Sequence, residues 1–302
     1  MILSFASFLA RKLSIRNRML KYLIIKAQDD FYAERYDAEI KKLNWIVLLN
    51  PIASNYSLKG GIHGKLGNYD KAIKDYSKAI NLEPDNPGHY QSRAYCFSST
   101  NQNNLAIKDY DKALTIKPND DKLLLYRAQS YENLGAYEQA IVEYNKVLEL
   151  NPNEIETYSG KGICLGKLEK FDEAITTLEF GLKIDSNATE LYVNIAIALG
   201  FLKKYEESFS YLNKALQIDG ENYYAYYNRA ITFMEIDKFE DAINDLNKTL
   251  ELNPDYSDAY KYRGHAYAEL KQNEKAIEDY TKAKKMGEGD MDKYIEELNG
   301  ND

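Results

Sequence analysis

The chain has 302 residues and a formal net charge of −8 at neutral pH. Residues 1–28 contain six basic and no acidic residues, which leaves 33 basic against 47 acidic residues, a net charge of −14, in the remainder. Phosphate backbones repel such an acidic body, so the composition argues against a nucleic-acid-binding protein. No apolar run approaches the roughly 18 residues that a membrane-spanning helix requires.

The first element of the chain is a basic amphipathic segment, which we assign to residues 1–19. Through residue 26, apolar residues alternate with serine and basic residues, and acids are missing. Two interpretations stay open. The segment is either a helix that packs on the following repeat, or a transit peptide or membrane-surface helix. A secretory signal is disfavoured because no positive charge precedes the apolar stretch.

From residue 53 onward the sequence repeats every 34 residues, as Pro84, Pro118 and Pro152 show. We number the positions of each repeat so that this proline stands at column 32. Column 8 holds only Gly or Ala, and column 20 holds Ala in every copy except Ser208. Small residues at two such columns allow two helices to approach closely. Large residues at columns 4, 11 and 24 lie three or four positions away, which is helical spacing.

Each repeat predicts a helix, a tight turn, a second helix and a short connection. Leu66-Gly67 is typical of the signal that ends the first helix, and Asn151-Pro152 of the signal that ends the unit. The pattern resembles the tetratricopeptide repeat, which has Gly or Ala at column 8, Ala at columns 20 and 27, and Pro at column 32. The resemblance covers seven copies over residues 53–288. It implies an all-α fold, an α-solenoid in which tandem helix-turn-helix repeats form a right-handed superhelix.

Flanking segments complete the predicted domain organisation. Residues 20–52 predict a degenerate first repeat, with Ala27 at column 8 but Glu39 where column 20 requires a small residue. Terminal repeats are often atypical because one of their faces meets no neighbour. Residues 289–302 predict a C-terminal helix that covers the apolar edge of the last repeat, followed by a short tail.

Columns 7 and 23 carry opposite charges in five of the seven repeats. Column 7 is Lys59, Arg93, Arg127, Lys161, Ile195, Arg229 and Arg263, whereas column 23 is Asp75, Asp109, Glu143, Thr177, Tyr211, Asp245 and Asp279. We predict partly buried ion pairs between helices. Pairing within a repeat leaves Lys161 opposite Thr177, and pairing with the next repeat leaves Arg229 opposite Tyr211. The sequence therefore leaves the register of the pairs open.

The reactive side chains form no catalytic arrangement in the sequence. His63, His89 and His265 occupy different columns, and no metal-ligand spacing joins them. Cys96 and Cys164 share one column two repeats apart, beyond disulfide reach, so we predict buried thiols in a reducing compartment. We therefore expect a non-enzymatic protein without a cofactor or a metal.

A partner surface is predicted on the first helices of the repeats, which the family resemblance places along the concave wall. There the columns outside the packing stripes vary, and repeats four to six hold apolar residues and asparagines that favour an extended or helical peptide. Coverage of this wall by the basic head, or by a second copy, is the alternative. The predicted groove residues are Tyr126, Ile163, Val193, Asn194, Ile197, Phe201, Tyr224, Tyr227, Asn228, Ile231, Lys261 and His265.

One binding mode of the resembled family is disfavoured by these residues. Its co-chaperones hold a C-terminal carboxylate with Lys at column 5, Asn at column 9 and further Lys, Asn and Arg residues on the next two repeats. Lys261 stands at column 5 here, but His265 replaces the Asn and no repeat follows. Tyr126 stands where the Arg of the third repeat is required.

The sequence predicts a non-enzymatic scaffold that recruits a protein or peptide partner, with a cytoplasmic location. The alternative is an adaptor or assembly subunit that the basic N-terminus, residues 1–26, tethers to a membrane or to an organelle such as the mitochondrion. Nucleic acid is not an expected partner, and self-association stays open.

Overall fold

The computed structural model of the chain describes residues 12, 15–23, 25–27, 36–289 and 291–299. Across these residues every regular element is a helix, which confirms the all-α prediction. Most of the predicted basic segment, part of the degenerate repeat and the C-terminal tail lie outside the described residues. By contact density the chain divides into two compact units, residues 1–152 and residues 153–302.

In the first unit, residues 15–23 and 25–27 are helical and seven longer helices follow. These helices are α1 (Tyr36–Leu49), α2 (Ala53–Lys65), α3 (Tyr69–Leu82), α4 (Pro87–Ser99), α5 (Asn103–Ile116), α6 (Asp121–Asn133) and α7 (Tyr137–Leu150). From α2 onward each pair of helices is one 34-residue repeat, and within the unit each helix packs on its neighbours in sequence.

The second unit continues the same pattern. Its helices are α8 (Ile155–Lys167), α9 (Phe171–Ile184), α10 (Thr189–Phe201), α11 (Tyr205–Ile218), α12 (Tyr223–Met234), α13 (Phe239–Leu252), α14 (Ser257–Glu269), α15 (Asn273–Lys285) and α16 (Met291–Asn299). Each first helix also contacts the first helix of the next repeat. Both units are therefore stacks of helical hairpins, which is the α-solenoid class.

The turn inside each repeat has one backbone geometry throughout. The residue at column 15 adopts a positive φ, and the next N–H bonds back to the carbonyl of column 11, as from Lys204 to Leu199 at 2.9 Å. This is the left-handed ending common at helix C-termini. Glycine occupies column 15 in only two of the seven repeats. The Leu-Gly pairs in the sequence therefore marked only two of the seven turns that share this geometry. The column 15 residues are Gly67, Asn101, Gly135, Glu169, Lys203, Asp237 and Lys271.

The small columns make the close helix contacts that the sequence predicted. A Cβ at Gly162 would lie 2.6 Å from the Leu178 side chain, and one at Gly264 would lie 2.8 Å from the Tyr280 ring. Column 8 therefore packs on column 24 of the same repeat. Column 20 contacts the first helix at column 8, since the Ser208 hydroxyl donates to the Ala196 carbonyl at 3.0 Å.

The predicted ion pairs form, and they form within the repeat. Arg229 donates from Nε and one terminal nitrogen to both carboxylate oxygens of Asp245, at 2.7 and 2.8 Å. Its other terminal nitrogen donates to Asn213 of the preceding repeat at 2.7 Å. Each such arginine thus joins two second helices. The same three-way arrangement recurs at Arg93 with Asp109 and Ser77, and at Arg263 with Asp279 and Asn247.

Residues beyond the seven repeats pack on both units. In the first unit, Leu20, Leu23 and Ala27 pack against α1. In the second unit, Met291 of α16 is buried in a cluster with Tyr280 of the last repeat. The side chains of Cys96 and Cys164 are buried, as predicted for core thiols, and burial raises the pKa of Cys96 to about 11.

Candidate functional site: an apolar groove

The second unit carries an apolar surface along the first helices of three successive repeats, α8, α10 and α12. Column 9 places Ile163, Ile197 and Ile231 there, one on each helix, and all three are only half-buried. The hydrophobic core does not enclose them, because columns 8 and 11 already face it. We call this surface, from Ile163 to Ile231, the isoleucine groove.

Two adjoining cavities open along the isoleucine groove. The first has a volume of about 270 Å³ and lies between α8 and α10, where Ile163, Asn194 and Tyr224 contribute to its wall. The second has a volume of about 340 Å³ and lies between α10 and α12, where Ile231 and Tyr227 contribute. Ile197 and Phe201 line both cavities.

Two glycines that the sequence analysis did not single out open the cavities. Gly166 lines the first cavity and Gly200 the second, and both stand at column 12. A Cβ built on either would meet no atom within 4 Å. These glycines are therefore not required by helix packing, unlike Gly162. The sequence offered one signal for these openings, because column 12 is glycine in two consecutive repeats although it lies outside the packing columns.

Aromatic rings form the walls of the groove. Phe201 is 67% exposed and stacks on Phe171, with ring centroids 5.0 Å apart. Tyr227 is held edge-on by Tyr256 and Tyr262, at 4.9 and 5.8 Å. Burial among these rings raises the pKa of Tyr227, so its hydroxyl stays protonated at neutral pH. Phe171 and Tyr262, which the sequence analysis missed, thus fix groove residues in place.

The two predicted asparagines lie on the groove and are already oriented by the protein. Asn194 Nδ2 donates to the Ser159 hydroxyl at 3.3 Å, and Asn228 Nδ2 donates to the Tyr224 carbonyl at 2.7 Å. Both side chains are half-buried. An amide oriented through its nitrogen presents its oxygen to a ligand as a hydrogen-bond acceptor.

Val193 was predicted in the groove but lies in the core. Its side chain is 1% exposed and packs with Ala196, Leu212 and Ala225. The error has a physical cause. Column 5 is also buried in the two preceding repeats, at Leu125 and Ser159, so there it belongs to the packing between first helices and not to the groove wall.

Lys261 and His265 are engaged by their own neighbours. Lys261 Nζ lies 2.6 Å from Asp258 and 3.2 Å from Glu288. Burial disfavours its charged form, but these hydrogen bonds outweigh burial and raise its pKa. His265 bonds to the Tyr280 hydroxyl at 2.8 Å, and burial lowers its pKa. Neither residue is therefore placed to hold a carboxylate.

Tyr126 belongs to the first unit, where its ring lies 6.2 Å from that of Tyr110. The other predicted residues, from Ile163 to Ile231 without Val193, line the isoleucine groove of the second unit. Within the described residues no group of three or more His, Cys, Asp or Glu is placed to hold a metal ion. No described helix is long and apolar enough to cross a bilayer.

Sequence-family models match the chain along most of its repeats. Models of the tetratricopeptide repeat match residues 53–86, 189–222, 223–256 and 246–278. A model of subunit 3 of the anaphase-promoting complex, or cyclosome, matches residues 99–181. Among curated proteins, none matches the chain significantly.

Solved structures with the same fold include a tetratricopeptide repeat protein from Parabacteroides merdae ATCC 43184. It is 22% identical with a TM-score of 0.70, over 82% of this chain and 96% of that one. The APC/C hetero-tetramer Cut9-Hcn1 is 15% identical with a TM-score of 0.65, over 91% of this chain and 55% of that one. MamA from Desulfovibrio magneticus RS-1 is 20% identical with a TM-score of 0.50, over 56% and 96%. At these identities the likeness concerns the fold alone.

Proposed function

Because the chain belongs to the tetratricopeptide-repeat family, we propose that it is a scaffold that binds an apolar segment of a protein partner in the isoleucine groove. Proteins of this family bind protein or peptide partners and are generally non-enzymatic. The observation that carries the proposal is the pair of adjoining apolar cavities, each opened by a glycine that packing does not require.

The distance between the two cavities indicates which peptide conformations can fill both. Packed helices lie about 10 Å apart, so cavities between successive first helices are separated by about that distance. A helical peptide places residues i and i+7 about 10.5 Å apart on one face. A polyproline II peptide places residues i and i+3 about 9 Å apart. The partner therefore presents two large apolar side chains at one of these spacings.

Polar groups beside the cavities suit a peptide main chain. The Asn194 and Asn228 amides are oriented by intramolecular bonds and offer acceptors to the N–H groups of an extended segment. Such bonds position a peptide without dependence on its sequence. The two apolar side chains then supply the specificity, because each must fill a cavity of limited volume.

Charge favours a basic partner. Residues 153–302 contain 18 basic and 30 acidic residues, a net charge of −12. At the second cavity itself the charges are mixed, since Lys203 and Glu235 both line it. The excess of acidic residues therefore acts mainly on the association rate, which attraction between opposite charges raises at low salt.

The test fills the cavities without removing any contact. A peptide is selected from a random library on the full chain, and its affinity is measured calorimetrically for the wild type, Gly166→Leu and Gly200→Leu. Both positions are open, so leucine fits the helix while it occupies a cavity. We expect the affinity to fall by about tenfold or more in each variant.

The matched control is Gly64→Leu, since Gly64 stands at the same column in the first unit and is equally open. The affinity of this variant should equal that of the wild type. A selected peptide that binds the two groove variants as tightly as the wild type contradicts the proposed site.

A further inference from the structure

The described helical residues that precede α1, 15–23 and 25–27, bury one apolar face. Leu20, Leu23 and Ala27 pack on α1, where they meet Leu43 and Ile46. These three residues follow one another at spacings of three and four, so they form one stripe of the helix. This contact accounts for the position of the helix in the first unit.

A second apolar stripe lies on the same helix and is exposed. Ile15, Met19 and Tyr22 follow at spacings of four and three, and between 43% and 62% of each residue's surface is accessible. Ile25 is also exposed, although it stands outside the strict stripe. Exposed large apolar residues are common singly, but three on one helix face mark an interaction surface.

The charged residues of this segment are all basic. Arg18 and Lys21 are exposed on the same helix. Residues 1–28 contain six basic residues and no acid, whereas the rest of the chain has a net charge of −14. A basic region of this kind on an acidic protein is selective for a negatively charged surface, because the remainder of the chain is repelled by one.

We propose that the exposed stripe of Ile15, Met19 and Tyr22 docks on the surface of an anionic lipid bilayer. The helix lies parallel to the membrane, with the three apolar side chains at the acyl boundary and the basic side chains at the lipid phosphates. Apolar burial and attraction to anionic lipid are both needed, since either is weak alone. This surface is separate from the isoleucine groove and does not depend on it.

The test measures cosedimentation of the full chain with vesicles. Binding is expected to phosphatidylcholine vesicles with about 30% phosphatidylserine, and not to phosphatidylcholine alone. Raising the salt from about 50 to 300 mM should weaken it several-fold, because exposed charges are screened. No binding to the anionic vesicles at low salt overturns the proposal.

A double variant tests the stripe itself. Met19→Glu with Tyr22→Glu should weaken binding to anionic vesicles by about tenfold or more. The matched control is Leu82→Glu with Leu105→Glu, which changes the charge equally at two other exposed leucines of the first unit. Circular dichroism verifies that both variants keep their helices. Equal loss in both, or no loss in the first, contradicts docking through this stripe.

The groove variant Gly200→Leu separates this proposal from the previous one. It should bind anionic vesicles as the wild type does, because Gly200 lies in the second unit. If it loses both peptide and vesicle binding, lipid is reaching the groove and the stripe is not the docking surface. If Gly200→Leu loses peptide binding but keeps vesicle binding, and the stripe variant loses vesicle binding, the results support docking through the stripe.

Discussion

At the scale of the residue, each arginine of column 7 makes two contacts, one within its own repeat and one to the preceding repeat. Arg229 reaches Asp245 in its own repeat and Asn213 in the preceding one, because the planar guanidinium has donors on both sides. Lys59, at the same column, makes a single bond to Asp75 at 3.3 Å. Arginine at this column therefore ties neighbouring repeats together.

Repeat five replaces the charged bridge by a neutral donor. Ile195 occupies column 7, and the Tyr211 hydroxyl donates directly to Glu179 of the preceding repeat at 2.8 Å. Burial first, and then this carboxylate, raises the pKa of Tyr211 to about 12. The link between repeats is thus kept while no cation is buried. The column pattern predicted no pair between Ile195 and Tyr211. Sequence spacing does not show that the tyrosine hydroxyl can reach the preceding repeat, as the arginines do.

A double-mutant cycle tests the bridge. Arg229→Met and Asp245→Asn should each lower the free energy of unfolding by about 2 kcal/mol, between the values for exposed and buried pairs. The double variant should lose less than the sum, with a coupling of about 1–2 kcal/mol. Urea unfolding measures all four proteins. The exposed pair Lys248 and Glu251 is the control, with a coupling below about 0.5 kcal/mol, and additive losses at Arg229 and Asp245 would refute the bridge.

At the scale of the element, glycine has two unrelated uses in helix α8. Gly162 leaves room for the buried Leu178 side chain of α9, whereas Gly166 faces open space four residues later. The sequence marked Gly162 correctly as a packing residue through its column. It did not distinguish Gly166 as an opening, because a missing side chain looks the same in a sequence whether a neighbour or a cavity takes its place.

Gly162 and Gly166 of α8 should respond oppositely to alanine. Gly166→Ala should raise the free energy of unfolding by about 0.5–1 kcal/mol, since alanine is the better helix former. Gly162→Ala gains the same propensity but places a Cβ against Leu178, and overpacking costs about 1–3 kcal/mol. We expect Gly162→Ala to be less stable than Gly166→Ala by that amount in urea unfolding. Equal stabilities would mean that Leu178 moves aside without cost.

At the scale of the whole molecule, contacts are local. Within each unit, each helix packs on its neighbours in sequence, and the first helices add contacts only to the next repeat. In such arrays stability is close to a sum of repeat and interface contributions. Charge is distributed unevenly over the chain, with the basic residues of 1–28 in the first unit and a net charge of −12 in the second.

Local contacts predict local unfolding. Tyr280→Ala removes a ring that is 1% exposed and packs with Met291 of α16, at a cost of about 3–5 kcal/mol. Hydrogen exchange followed by mass spectrometry should then show faster exchange in α14, α15 and α16, while α2 to α5 exchange as in the wild type. Faster exchange of all helices to the same extent would show one cooperative unit instead.

The sequence by itself determined the repeat, its two helices, the small packing columns and the existence of charged pairs. These features follow from helical periodicity, which is a local property of the backbone. Only the tertiary structure decided the register of the pairs, the burial of Val193, the engagement of Lys261 by Glu288, and the cavities beside Gly166 and Gly200. Each of these depends on which atoms of another helix fill the neighbouring space, and column spacing carries no information about that.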